Sequence, residues 1–277
     1  MAAPIVLCGS LSRWAVSLGA RMHEAGYRAL GLAWRYVPFE VEEHELEAAL
    51  AGMRALKLRG FGVSVPYKLA VMKWLDEVDA VAARIGAVNT IVHREGRLVG
   101  HNTDWLGAVR AVEEARRVEG ARVLVLGAGG AARAAAYGFK ARGSAVTLAN
   151  RTDERGRALA NELGVGYRAW DERHATSAFD VLVNASSLGM ETVCHECPLA
   201  EGALEPRHVV LDAVYKPLET ELVRAARRRG ATTLDGGRML LHQAAAQFEL
   251  YTEREAPLLA MDAALREAIG DAASART

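Results

Sequence analysis

The chemistry most readily read from this chain starts at a glycine-rich turn, Gly127-Ala128-Gly129-Gly130-Ala131-Ala132, directly after the apolar run at residues 123–126. In this G-x-G-x-x-A spacing the first glycine permits a tight turn. The second lets backbone N–H groups approach a pyrophosphate, and the small third residue lets the helix pack on the strand. Alone, such a spacing can be a packing turn of small residues. Here a strand pattern precedes it and an Ala-rich helix pattern follows, so it reads as a dinucleotide site. The end of the next strand selects among dinucleotides. An acidic residue there would hold a ribose 2′-hydroxyl, but the chain reads Asn150-Arg151-Thr152, with Arg155 one turn on. Guanidinium forks suit a 2′-phosphate, so the expected cofactor is NADP. The competing reading is a plain helix start with Thr152 or Asp153 as N-cap.

Two polar residues lie upstream. Lys68 follows Gly62-Val63-Ser64-Val65-Pro66-Tyr67, where a strand that ends at a proline leaves the next residues at its tip. A lysine there can point into a cleft, although a lone lysine is more often a solvated surface charge. Asp104 follows Asn102-Thr103, ahead of a helix pattern carrying Val109 and Val112, where an N-cap role would also account for it.

The elements that must hold these residues follow from length and periodicity. At 277 residues the chain exceeds what one core usually organises, and about 150 residues per domain predicts two domains with a cleft between them. Residues 4–8 and 62–65 read as strands, with Leu46, Leu50, Met53 and Leu56 at helical spacing between them. From residue 121 onward, strands at 123–126, 145–149, 181–183 and 209–211, with a short one near Thr232, alternate with helices. A parallel sheet with crossover helices is the economical fold for such a chain. Leu240, Leu241, Ala244, Ala245 and Phe248 mark one amphipathic helix, and Leu258, Met261, Leu265 and Ile269 a second, separated by Ala256-Pro257.

Composition excludes several function classes. Hydrophobic residues make up 51% and charged residues 25%, as in a soluble globular enzyme. Lys+Arg and Asp+Glu both number 34, so no bulk field gathers nucleic acid or an anionic membrane. Three cysteines, Cys8, Cys194 and Cys197, cannot pair fully, which fits free thiols in a reducing, cytoplasmic setting. No apolar run reaches the roughly 18 residues a membrane span requires, and Arg13 follows rather than precedes the apolar start. Cys194-His195-Glu196-Cys197 has metal-like spacing but lacks further ligands, so no metal is expected. Arg227-Arg228-Arg229 reads as a helix end, where cations complement the dipole.

Taken in order, Lys68, Gly86-Ala87-Val88-Asn89-Thr90, Asn102-Thr103-Asp104, the glycine-rich turn, Asn150-Arg151-Thr152, Asn184-Ala185-Ser186-Ser187-Leu188-Gly189, the segment from Asp212 through Tyr215 to Thr220, and Gly237-Arg238-Met239-Leu240-Leu241-His242-Gln243-Ala244 resemble the shikimate dehydrogenase family. The resemblance spans residues 5–250 or so. It implies an α/β chain with two domains: a substrate-binding, catalytic domain at 1–105 completed by the helices at 239–277, and an inserted Rossmann-type NADP domain at 106–238. It also implies reversible, NADP-dependent reduction of a 3-dehydroshikimate-like ketone, a step of the chorismate pathway to aromatic amino acids, by a monomer or homodimer acting on a small cyclic hydroxy acid.

Carried over by position, the resemblance makes Lys68 the proton donor or acceptor at the reacting oxygen and Asp104 its partner at the same hydroxyl. The chemistry is coherent, because hydride can leave a carbinol carbon only if the hydroxyl proton is removed. Asn89 and Gln243 are implied as partners of ring hydroxyls and Tyr215 as a neighbour of substrate and nicotinamide. Gly127, Ala128, Gly129, Gly130, Ala131, Asn150, Arg151, Thr152, Arg155, Asn184, Ala185, Ser186, Gly236 and Met239 are implied for the cofactor. The chain departs from the family's Ser-x-Ser-Pro segment, where residues 15–18 retain only Ser17, and Gly62-Val63-Ser64 replaces the usual Asn-Val-Thr. Ser10 and Ser12, with Arg13 and Arg21, are then expected to take over the substrate carboxylate, as in a divergent shikimate dehydrogenase-like subgroup with Ser-Leu-Ser and Gly-x-Arg-x-His, here Gly19 to His23. Ser64 keeps a hydroxyl at the family's position. The reshaped pocket leaves quinate and aminoshikimate as alternative substrates, and a weakly active NADP-binding regulator as a rival reading.

Overall fold

The computed structural model of the chain describes residues 4–13 and 17–274, with residues 271–274 as backbone only. Apolar strands and helical repeats build a first sheet from β1 (Val6–Ser12), α1 (Leu18–Ala29), β2 (Trp34–Glu40), α2 (Leu46–Ala55), β3 (Gly60–Val63), β4 (Glu77–Val78), α3 (Ala80–Ile85), β5 (Thr90–Arg94) and β6 (Arg97–His101). The sheet order is β2-β1-β3-β5-β6-β4. Strand β1 begins two residues later than its apolar pattern suggests and runs on to Ser12.

The expected all-parallel arrangement does not hold in this sheet. β1 pairs in parallel with β2 and β3, but β3–β5 and β5–β6 are antiparallel. For β5–β6 the cause is the two-residue turn Glu95-Gly96, whose φ values of 51° and 80° are those of a primed hairpin turn. The second strand therefore returns directly instead of crossing over through a helix. Leu46, Leu50 and Met53, at helical spacing on α2, bury against Phe61, Ile91 and Leu98 of the sheet.

The second sheet keeps the parallel pattern. It comprises α4 (Asp104–Glu113), β7 (Arg122–Leu126), α5 (Gly130–Ala141), β8 (Ala145–Ala149), α6 (Asp153–Leu163), β9 (Gly166–Arg168), β10 (Val181–Asn184), β11 (Val209–Asp212), α7 (Glu221–Arg228) and β12 (Thr232–Leu234), in strand order β12-β11-β10-β7-β8-β9. Every pairing is parallel. Both faces are covered, which explains the unbroken apolar strands: Val123, Val125, Val181, Val183, Val209 and Leu211 join one core, while Leu124, Leu126, Leu182 and Val210 join the other.

The chain divides into one unit holding residues up to Thr103 together with Gln243 onward, and a second, Asp104–His242. The second boundary falls inside α8 (Gly236–Thr252), which α9 (Leu258–Ser274) follows. Within the second unit, Arg238 and His242 of α8 both bond to Glu114 just beyond α4, His242 Nε2 at 2.6 Å. Within the first, Phe248 and Tyr251 of α8 sit where a side chain at Gly26 or Gly60 would have to go. No helix among the described residues is long and apolar enough to cross a membrane.

Candidate active site

In the second unit, the carboxyl ends of β7, β8 and β10 open into a groove lined by Gly127, Ala128, Asn150, Arg151, Trp170, Ala185, Ser186, Ser187 and Leu188, with about 460 Å³ of empty space continuous with solvent. A position beyond the strand ends is where open α/β sheets bind ligands. Gly127 has φ 119°, and a Cβ there would lie 2.8 Å from Ala185 O, so both its conformation and its contact with the β10 loop demand glycine. Gly129 is the N-cap of α5 and carries no side chain to cap the first turn, while Cβ atoms at Gly129 and Gly130 would meet nothing within 4 Å. The helix thus offers its first-turn N–H groups and positive dipole end, the arrangement that suits a pyrophosphate.

Arg151, Thr152 and Arg155 are exposed at the start of α6, where Thr152 is the N-cap without a side-chain capping bond. Among the described residues neither Arg151 nor Arg155 makes an intramolecular hydrogen bond or ion pair. One nearby carboxylate that would repel a phosphate is engaged elsewhere: Asp153 accepts from Arg157 Nε at 2.6 Å and Tyr167 OH at 2.7 Å. Those donors hold its carboxyl below the usual carboxylate range. Asn150 Nδ2 closes the turn onto Thr152 O at 2.8 Å.

The β10 loop is held from below. Asn184 Oδ1 accepts from Ser186 N at 3.1 Å and Ser186 Oγ at 2.7 Å, and its Nδ2 donates to Leu188 O at 3.0 Å and Asp212 Oδ1 at 2.9 Å. Asp212 also accepts from Val214 N at 3.0 Å and Thr220 Oγ1 at 2.6 Å. Burial pushes the Asp212 carboxyl up to about 6, against these hydrogen bonds. Ser186 therefore spends its hydroxyl on the loop. Gly236 opens α8 where any Cβ would run into Val214 O, and Met239 is buried in the core beside Leu234. Tyr215 is 42% exposed.

In the first unit, Asn89 organises a polar cluster. Its Nδ2 donates to Thr103 Oγ1 at 3.0 Å and Gln243 Oε1 at 3.3 Å, and its Oδ1 accepts from Thr103 N at 2.7 Å and Thr90 Oγ1 at 2.8 Å. Gln247, one turn beyond Gln243 on α8, donates to Asn89 O at 3.1 Å and Thr90 Oγ1 at 3.0 Å. Asn102 Nδ2 donates to Ala87 O at 2.9 Å. Lys68 is half-buried in the turn after β3, its carbonyl accepting from Val88 N at 2.8 Å. Ser64, in the same segment, is exposed. Ser10 and Ser12 are buried at the end of β1, and Ser17 caps α1 by accepting from Ala20 N at 3.3 Å. Of the expected Ser-x-Ser-Pro positions, Ala15 and Val16 lie outside the described residues.

Asp104 is buried and is the first residue of α4 rather than its N-cap, with Thr103 before it. Lys68 and Asp104 belong to different units. Thus Asn89 and Gln243 are brought together within one unit, and Gly127, Ala128, Asn150, Arg151, Ala185 and Ser186 within the other. Trp170, Ser187 and Leu188 of the groove, and Thr90, Thr103 and Gln247 of the polar cluster, had no assigned role in the sequence reading. Gln247 sits at i+4 from Gln243, a helical spacing that could have marked it. Among the described residues no three His, Cys, Asp or Glu side chains gather at metal-binding distance, and Cys197 Sγ donates to Leu199 O at 3.0 Å.

Residues 13–91 match the shikimate dehydrogenase substrate binding domain, residues 110–212 the shikimate/quinate 5-dehydrogenase domain, and residues 236–266 the shikimate 5′-dehydrogenase C-terminal domain. The chain is 47% identical to a shikimate dehydrogenase (NADP(+)) of Moorella thermoacetica over 265 residues, covering 92% of this chain and 90% of the relative. It is 40% identical to the shikimate dehydrogenase (NADP(+)) of Methanothermobacter thermautotrophicus, with 91% and 93% covered. Among solved structures, shikimate 5-dehydrogenase from Thermus thermophilus in complex with NADP(H) and shikimate superposes with a TM-score of 0.89 at 34% identity, covering 95% of this chain and 99% of that one.

Proposed function

The chain belongs to the shikimate dehydrogenase family, and on that premise we propose that it is an NADP-dependent oxidoreductase that interconverts 3-dehydroshikimate and shikimate. The observation that carries the reading is the match to relatives so named along nearly the whole chain. The groove residues fit the cofactor, with glycine backbone at the α5 start and two exposed arginines at the β8 end. Bound NADP supplies the nicotinamide that takes or gives the hydride.

This chain's own side chains do the rest. Lys68 removes the hydroxyl proton in oxidation and returns it in reduction, while Asp104 accepts a hydrogen bond from the same hydroxyl and orients it. Asn89 is already fixed by Thr90, Thr103 and Gln243, so it presents a set position to a ring hydroxyl. Gln243 and Tyr215 complete the hydroxyl contacts, and Ser10, Ser12, Ser17 and Ser64 with Arg13 and Arg21 receive the carboxylate. Gly127, Ala128, Gly129, Gly130 and Ala131 hold the pyrophosphate, with Asn184, Ala185 and Ser186 along its flank. Asn150, Arg151, Thr152 and Arg155 hold the 2′-phosphate, and Gly236 and Met239 support the nicotinamide end. The protein works as a monomer or homodimer in the cytoplasm, where its three cysteines stay reduced.

The test is reduction of NADP+ by purified protein, followed at the absorbance of reduced nicotinamide, with shikimate, quinate and aminoshikimate in parallel and NAD+ as control. Shikimate with NADP+ is expected to give the highest kcat/KM. Turnover confined to quinate or aminoshikimate would overturn the substrate, and NADP(H) binding without any turnover would favour a regulator.

A further inference from the structure

Resting on the NADP reading above, we propose that Trp170 is the stacking platform for the adenine of the cofactor and so a determinant of cofactor affinity independent of the 2′-phosphate. The strand order makes the assignment. A dinucleotide whose pyrophosphate lies at the β7–α5 turn has one half over β8 and β9 and the other over β10, β11 and β12. Arg151 and Arg155, both exposed and neither engaged by an intramolecular hydrogen bond or ion pair, stand at the β8 end and claim the phosphorylated ribose for that side. The base on that ribose then reaches the next strand outward. There the chain leaves β9 and enters the short helix Trp170–His174, whose first residue lines the same groove as Arg151.

Trp170 is built as a rigid wall. Its ring packs against the core that contains Leu124, Leu126 and Leu182. The Arg173 guanidinium lies 4.3 Å from the ring centroid. That guanidinium is tied down, Nη1 donating to Trp170 O at 2.8 Å and Nε to Pro198 O at 2.8 Å. Burial also lowers the Arg173 pKa from its usual value, a sign of how closely this cation is packed. The half-buried indole is thus held by a cation and the core while it lines the groove. Adenine gains from an aromatic surface whatever its ribose carries, because stacking reads the π-face and not the phosphate.

The experiment measures binding of NADP+, adenosine 2′,5′-bisphosphate and 5′-AMP by calorimetry to wild type, Trp170→Phe, Trp170→Ala and Arg151→Ala, with circular dichroism to establish that each variant is folded. Trp170→Ala should weaken all three ligands by about tenfold or more, the size expected for losing one base–aromatic stack, whereas Trp170→Phe stays within about threefold. Arg151→Ala should weaken NADP+ and the bisphosphate but not 5′-AMP. Fluorescence gives a second readout: wild-type emission should fall when adenosine 2′,5′-bisphosphate binds, and Trp170→Phe should abolish that fall. Folded Trp170→Ala binding like wild type, or a fluorescence change that persists in Trp170→Phe, overturns the proposal. If Trp170→Ala does not fold, the fluorescence arm decides. Absence of NADP(H) binding by wild type would instead overturn the cofactor reading itself.

Discussion

Asn184 Nδ2 donates to Asp212 Oδ1 at 2.9 Å, joining the last residues of two strands that are paired in register. Through this bond the Asp212 carboxylate supports the β10 loop, because Asn184 also fixes Ser186 and Leu188.

Asp212→Ala should therefore destabilise the protein by about 3 kcal/mol at neutral pH, since Asn184, Val214 N and the Thr220 hydroxyl lose a buried acceptor. The Asp212 carboxyl sits at about 6 in the folded chain against an ordinary 3.8, so its contribution is fully present below pH 4 and declines as pH rises through 6. The variant's deficit, read by urea unfolding, should be about 1 kcal/mol smaller at pH 8 than at pH 5. A larger deficit at pH 8 would contradict the burial argument.

His23 runs the other way. It is fully buried, stacked on Tyr36 at 4.4 Å between ring centroids, and burial lowers its pKa to about 4 from 6.5. A base depressed in the folded state contributes stability above pH 6.5 that is lost as pH falls towards 4. Between pH 7 and pH 5 wild type should lose about 2 kcal/mol relative to His23→Phe, which keeps the ring and cannot titrate. Parallel stability curves for the two proteins would refute this.

Arg151→Ala should raise the Kd for NADP+ by roughly ten- to a hundredfold, the range for charge-assisted hydrogen bonds, and leave NAD+ within about twofold. Equal losses for the two dinucleotides would remove Arg151 from the 2′-phosphate.

Lys68→Ala should lower kcat by at least about a hundredfold, as expected when a positioned proton-transfer group is removed. The Kd for NADP+ should stay nearly unchanged, because Lys68 is not among the residues that line the groove. Turnover within about threefold of wild type would assign the proton to another group.

The second sheet was legible because a strand buried on both faces must be apolar at every position, and a glycine turn between such a strand and a helix leaves a local signature in residues 123–132. The first sheet was less so: the β5–β6 hairpin turns on Glu95-Gly96, a weaker signal than Asn-Gly, and its reversal of direction escaped a reading by alternation. Likewise Arg151 could be named from its place after a strand, whereas Trp170 could not. Gln247 and Asp212 are a similar pair of omissions in role, since each acts on residues far away in the chain, at 89–90 and at 184.

By itself, then, the sequence determined most strands and helices of the second half, their parallel pairing and the residue types for a phosphate-bearing cofactor, because periodicity and turn chemistry are local properties. Only the tertiary structure decided which carboxylate holds the β10 loop, which helix turn anchors Asn89 and which aromatic residue lines the groove. Hydrogen bonds and packing contacts depend on distance in space, and residues that meet at 3 Å carry no mark of it in their spacing along the chain.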